Sequence, residues 1–264
     1  MDLPTGWLTD LAVLRLGGAR ISDRGDHVVI ASPDNPGYHW GNFILVTDQA
    51  RGNDAGAWVE LFAATFPGAG HMGIGLPAEP DPAPWAAVGL EVTGDEVMTA
   101  SALPELRPLP AGYVADRLME PVQWRAAAEA DIAENARTGE HPDGEYREFA
   151  NARWRTRSSL SVRGAAAFFG AFEGGLCVSQ LGIVLCGRDA DGQQLARYQS
   201  VQTAYEHRGR GLAGHLLGVA ARWALQHGAG RLVIVTESVN PAGRLYRSVG
   251  FAPDDRVWQA ARSR

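Results

Sequence analysis

His207-Arg208-Gly209-Arg210-Gly211-Leu212-Ala213-Gly214 is the stretch on which the rest of the chain turns. It follows a strand-like run from Leu195 to Thr203 and opens a run in which Leu212, Leu216, Val219, Ala220, Trp223 and Ala224 recur at helical spacing. A loop at such a junction aims the free N–H groups of the first helical turn, and the positive end of the helix dipole, outward, which suits phosphate oxygens. Gly209 and Gly211 let the backbone take positive φ and come close to a ligand with no Cβ in the way. Arg208 and Arg210 add charge that can fork onto phosphate. A glycine-rich turn before a helix also serves simply to connect packed elements. The stretch lacks the Lys and the Ser/Thr of a nucleoside triphosphatase loop and does not fit G-x-G-x-x-G, so those two phosphate-binding readings are excluded.

Downstream, Arg231 to Thr236 reads as a short buried strand and Asn240 to Phe251 as a short helix that Asn240 can cap, with Pro241 in its first turn and Gly250 at its end. Arg208 to Ala213 resembles the R/Q-x-x-G-x-G/A acyl-CoA pyrophosphate loop of the GNAT superfamily of N-acetyltransferases. The N-x-x-A/G-x-x-L-Y-x-x-x-G-F pattern from Asn240 to Phe251 resembles that superfamily's second signature. The resemblance covers Tyr113 to about Trp258. It implies an α/β class (an α+β mixed sheet) with the GNAT fold.

Working outward, Tyr113 to Met119 predicts a strand, Pro121 to Arg137 and Glu145 to Arg157 two helices, and Ala165 to Glu173, Leu176 to Gly187 and Gln194 to Thr203 a three-strand meander. Periodicity fades over Arg153 to Arg163, which leaves the end of the second helix open. Leu103 to Gly112, with Pro104, Pro108 and Pro110, reads as a linker. It separates residues 1–110 from residues 111–264, the half that the resemblance makes acetyl-CoA-binding. In the first half Val28 to Ala31 and Phe43 to Val46 read as strands, with a helical stretch near Trp58 to Phe66 and another short helix after the Pro-rich segment Pro77 to Pro84.

The chain also repeats itself. Gly68-Ala69-Gly70 and Ile74 match Gly228-Ala229-Gly230 and Ile234; Val88-Gly89-Leu90 and Val97 match Val249-Gly250-Phe251 and Val257. The first half is therefore expected to be an incomplete, degenerate GNAT-like copy in a tandem pseudo-repeat. At the same offset Asp48 stands for Arg208, Arg51 for Gly211 and Trp85 for Tyr246, so its chemistry is lost.

The resemblance also implies roles. Ser200 to Thr203 corresponds to the splayed central strand, where the N–H of Val201 polarises the thioester carbonyl and Val201 and Thr203 line the pantetheine arm. Tyr246 matches the family's general acid: a phenol is protonated at neutral pH and can donate to a departing thiolate. Arg208, Gly209, Arg210, Gly211, Leu212 and Ala213 form the phosphate cradle. Asn240 bonds the pantetheine or merely caps its helix, and Arg244 and Arg247 reach the adenosine phosphates or lie on an exposed helix face. Glu173, Tyr198, His207 and Glu237 are all conceivable bases, and none is singled out. Glu129, Asp131 and Glu134 suit a cationic acceptor, whereas Arg153, Arg155 and Arg157 suit one that also bears an anion. Acetyl-CoA is the expected cosubstrate, an unidentified primary amine of a small molecule or peptide the acceptor, and no metal is expected. An acyl-CoA-binding protein without turnover, regulatory or scaffold, is the alternative.

Composition sets bounds. The 264 residues carry 45% hydrophobic and 20% charged side chains, as in an ordinary folded protein, and all 24 basic residues are Arg. The net charge of −6 hides an asymmetry: His207 to Arg264 holds nine Arg against three acids, a surplus of six, so the preceding residues sum to −12. A basic segment in an acidic chain suits a small polyanion better than a nucleic acid. Cys177 and Cys186 lack metal-type spacing and read as buried free thiols, which points to a reducing cytoplasm. Asp2, Asp10 and Arg15 interrupt the N-terminal apolar run, so neither a signal peptide nor a membrane span is expected. A monomer or a homodimer is expected.

Overall fold

The computed structural model describes residues 3–102, 106–238 and 240–263; Asp2, and Leu103, Pro104 and Glu105 of the expected linker, lie outside them. The chain divides into two compact units, and the division is not one cut in the sequence. Met1–Val97 groups with Val235–Asn240 and Pro253–Arg264, while Met98–Ile234 groups with Pro241–Ala252.

The first unit contains α1 (Thr5–Leu16), β1 (Arg20–Asp23), β2 (His27–Ala31), β3 (Phe43–Val46), α2 (Ala55–Thr65), β4 (His71–Leu76), α3 (Pro82–Ala87) and most of β5 (Glu91–Ala100). Strands β1, β2 and β3 form an antiparallel meander, and β3 then pairs in parallel with β4. The last strand of the chain, β11 (Ala252–Ser263), lies antiparallel to β4, with Trp258 opposite Leu76 and Ala260 opposite Ile74. Ile44, Trp58, Phe62, Ile74, Leu76, Trp85 and Ala260 share one core. Helix α1 was not foreseen in the sequence; its Trp7 stacks on Phe43 and donates from the indole to the Leu76 carbonyl at 3.1 Å.

The second unit contains β6 (Val114–Arg117), α4 (Pro121–Thr138), α5 (Asp143–Val162), β7 (Ala166–Glu173), β8 (Leu176–Arg188), β9 (Gln194–Thr203), α6 (Leu212–Gln226), the first part of β10 (Arg231–Glu237) and α7 (Ala242–Ser248). The strand order is β10-β9-β8-β7-β6, antiparallel except where β10 runs parallel to β9. This is a mixed sheet with helices, and the expected element order from Tyr113 to Phe251 is present. Helix α5 continues five residues past Arg157. Its buried face includes the polar residues Arg157 and Ser161 as well as Ala150, Trp154 and Leu160, which is why the apolar period faded there.

The repeat is visible in the geometry of each unit taken alone. After α3, the N–H groups of Val88 and Leu90 both bond to the Trp85 carbonyl; after α7, those of Val249 and Phe251 both bond to the Tyr246 carbonyl. The glycines inside these turns, Gly89 and Gly250, have φ 74° and 104°, a region that only glycine enters freely.

Candidate active site

The parallel ladder of β9 and β10 covers only Leu195, Ala196 and Arg197 of β9, although β9 runs on to Thr203. Toward β8, Gln199 pairs with Gly182 and Gln202 with Gln180, so Ser200 and Val201 together oppose the single residue Leu181. Val201 therefore has a register partner on neither side. This is the splay expected of the central strand, sharpened by a bulge that re-aims its backbone.

A short 3-10 turn, Tyr205–His207, leads from β9 to the loop, and α6 begins at Leu212 with Gly211 as its N-cap. Gly209 and Gly211 have φ 72° and 86°, and a Cβ on either would meet no atom within 4 Å. Conformation, not crowding, thus requires glycine here, and the space beside the loop is open. No side chain caps α6. Its first-turn N–H groups, including those of Leu212 and Ala213, are left as donors, the arrangement an anionic diphosphate fits.

The two arginines are held beside the loop. Arg208 donates to Glu134 of α4 at 2.6 Å and to the Thr203 carbonyl at 3.0 Å. Arg210 donates to the Tyr113 hydroxyl at 2.7 Å and to the Glu206 carbonyl at 2.9 Å. Tyr113 also shares a hydrogen bond with Nδ1 of His207 at 3.0 Å. The Glu134 carboxyl is held below its ordinary pKa by hydrogen bonds from Arg137 and by the charge of Arg208. With the Arg208 side chain half exposed, its bond to Glu134 is worth at most about 1 kcal/mol and is easily exchanged for a phosphate oxygen. The sequence offered no signal for Tyr113 or Glu134 as holders of these arginines, because both lie far away along the chain.

Tyr246 projects from α7 into the second unit's core, the cluster against which Val201 also packs. Its ring is 6.4 Å from Phe251, whose ring lies 5.7 Å from Tyr198. The Tyr246 hydroxyl has no partner among the described residues, yet it is not one of the polar atoms sealed from solvent. Burial pushes its pKa up to about 12, so it remains protonated over the whole neutral range. Tyr198 donates to the Leu217 carbonyl at 2.8 Å, and burial raises its pKa well above the ordinary phenol range, which removes it from the possible bases. Glu173 and Glu237 are exposed. Helix α7 has Pro241 at its N-cap position, and Asn240 directly precedes it. Arg244 is exposed.

On α4 and α5 the acids and arginines separate by burial. Asp131 accepts from Tyr146 at 3.0 Å, from the Trp154 indole at 3.1 Å and from Arg153. Desolvation works to raise its pKa, but the charges of Arg153 and Arg157 outweigh it and keep the carboxyl below its ordinary value. Glu129 is exposed and pairs with Arg147.

In the first unit the corresponding loop is closed by its own side chains. Asp48 caps a 3-10 turn, Arg51 pairs with Asp26 and Asp54, and its guanidinium lies 4.3 Å above Trp58, whose indole donates to the Arg51 carbonyl. A Cβ on Gly75 of β4 would strike Leu45 and Trp7, both at 2.8 Å.

Residues 127–251 match the model of the acetyltransferase (GNAT) family. The chain carries a GNAT acetyltransferase domain. Its fold is shared with a GCN5-related N-acetyltransferase from Kribbella flavida, at 16% identity and TM-score 0.61, covering 98% of this chain and 96% of that one. It is also shared with a tandem GNAT protein from the clavulanic acid biosynthesis pathway, at 18% identity and TM-score 0.56, covering 97% and 93%. A conserved protein of unknown function from Staphylococcus epidermidis aligns at TM-score 0.69 and 12% identity over 92% of each chain. No curated protein matches the sequence. The GNAT acetyltransferases use acetyl-CoA. Among the described residues no helix is long and apolar enough to cross a membrane, and no group of His, Cys, Asp and Glu could hold a metal ion.

Proposed function

We propose that this GNAT protein is an acyl-CoA-dependent N-acetyltransferase that moves an acetyl group from acetyl-CoA to a primary amine of a small molecule or peptide by direct attack. The observation that carries the reading is the meeting, in one unit, of an unpaired strand edge at Val201 with an uncapped, glycine-opened helix mouth at 209–213. Bound acetyl-CoA would supply an acyl carbon activated as a thioester. Backbone N–H groups of the loop and of Leu212 and Ala213, with Arg208 and Arg210 beside them, hold the diphosphate. Val201 and Thr203 offer backbone groups to the pantetheine arm, and the Val201 N–H donates to the thioester oxygen as charge develops there. Tyr246, kept neutral by burial, gives its proton to the departing sulfur. Asn240 and Arg244 complete the set toward the pantetheine and the adenosine phosphates.

In the same reading residues 111–264 form the coenzyme-binding domain and residues 1–110 a degenerate copy. The protein works in the cytoplasm, where the buried thiols Cys177 and Cys186 stay reduced, as a monomer or homodimer. The test is incubation with acetyl-CoA and a panel of primary amines, following free thiol and the acetylated product. Thiol release that depends on a particular amine, and that falls sharply in Tyr246→Phe, is expected. Binding of coenzyme A with no release for any amine would replace the enzyme by an acyl-CoA-binding regulatory or scaffold protein.

A further inference from the structure

The bulge in β9 is held in a conformation that its own residue disfavours. Ser200 has φ 48°, and among the described residues it is the one non-glycine residue with positive φ. A Cβ makes that region costly, so contacts from elsewhere must maintain it. They come from α5. Arg157, 7% exposed, donates from Nη2 to the Ser200 hydroxyl oxygen at 2.5 Å. Its guanidinium lies 4.6 Å from the ring centre of Trp154 and 5.6 Å from that of Phe168. It is also close enough to Asp131 for its charge to lower that carboxyl's pKa. A planar cation stacked on two rings beside a buried carboxylate has few ways to swing aside, so it offers the strand a fixed point.

We propose that Arg157 is a positioning residue: by gripping the Ser200 hydroxyl it pins the β9 bulge and thereby sets the direction of the Val201 N–H. The proposal rests on the reading of Val201 as the donor to the thioester oxygen. The peptide plane between residues 200 and 201 is rigid, so a backbone rotation at Ser200 swings that N–H bodily. Arg157 acts through the strand and touches neither substrate.

Two substitutions that delete the same hydroxyl separate this from other roles. Ser200→Ala keeps the Cβ and loses the grip, so residue 200 relaxes to negative φ. Ser200→Gly loses the grip but tolerates φ near 48° unaided. Crystal structures of the two full-length variants are expected to differ in this way. With the amine that the wild type acetylates fastest, Ser200→Ala is expected to lower kcat about tenfold or more beyond the effect of Ser200→Gly. The two KM values for acetyl-CoA should agree within about threefold. Arg157→Met is expected to lower kcat likewise, and adding Ser200→Gly to it to restore most of the loss; should Arg157→Met not fold, the Ala and Gly pair still decides. Equal kcat losses in Ala and Gly would mean that the hydroxyl contacts a substrate, and positive φ persisting in Ser200→Ala would mean that the bulge needs no clamp; either overturns the proposal. If the wild-type protein releases no thiol with any amine, the acetyltransferase reading falls, while the conformation at position 200 still decides on the clamp.

Discussion

At Tyr246 two demands meet on one side chain. The ring belongs to the core and, in the proposed reaction, the hydroxyl is the acid; burial keeps the phenol neutral. Tyr246→Phe keeps the packing and removes the proton, so kcat should drop about 10²-fold with little change in the KM for acetyl-CoA, as read by steady-state thiol release. Because its folded pKa is about 12, ionisation of Tyr246 contributes no falling limb to the kcat profile below about pH 11. The linkage has a definite sign: the folded pKa is raised above the ordinary phenol value of 10, so the associated stability is intact below pH 10 and is lost as pH rises toward 12. Denaturation midpoints measured across that window should fall more steeply for the wild type than for Tyr246→Phe. At the loop, Gly211→Ala places a Cβ at φ 86° in the N-cap position, a strain of about 1–2 kcal/mol. The backbone donors should shift and the KM for acetyl-CoA rise severalfold, which the same assay measures. The positive φ of Gly211 and the place of Tyr246 on a short helix were legible in the sequence, because residue type and local spacing set them. Ser200 was not, since serine is no mark of a left-handed residue and the hydroxyl's partner lies 43 positions away.

Among the elements, the tie between α4 and α5 is the most exposed to a single change. Asp131 is buried and accepts from Arg153, Tyr146 and Trp154. Asp131→Asn leaves Arg153 without its carboxylate and should cost about 3–5 kcal/mol, measured by urea denaturation. The wild-type contribution has its own pH window. The folded pKa lies below the ordinary carboxylate value, so this stability is present above about pH 4 and is lost as pH falls through the lowered folded value. Helix α6 shows a different dependence. Its Gly218 faces Leu106, where an added Cβ would lie 2.9 Å from Cδ1 and 3.2 Å from Cα. Since a main-chain atom would have to move, Gly218→Ala should destabilise the protein by about 1–2 kcal/mol, measured by urea denaturation. The strands and helices from Val114 to Ser248 were readable from alternation and helical period. The end of α5 was not, because a helix face that buries Arg157 and Ser161 shows no apolar stripe.

Over the whole molecule, the sequence repeat has a structural counterpart in the matching turns at Trp85 and Tyr246, and the two copies differ where chemistry would be done. One loop is open at Gly209 and Gly211; the other is shut by Asp48, Arg51 and Asp54. The C-terminal strand bears on folding: β11 supplies the antiparallel neighbour of β4. Removing residues 253–264 should therefore strip amide protection from those N–H groups of His71–Leu76 that face β11, as hydrogen-exchange measurements would show, and the exposed strand edge should promote aggregation. By itself the sequence determined the element order, the glycine-opened loop before α6, the tyrosine of the second motif and the loss of those features from the first half. These depend on side-chain period and on glycine's local freedom, both written within a few neighbouring residues. Only the tertiary structure decided that the last strand pairs with β4, that Arg208 rests on Glu134, and that Arg157 grips the bulge beside Val201. Such pairings join residues tens to hundreds of positions apart, and a strand's period says which face is buried but not which strand lies beside it.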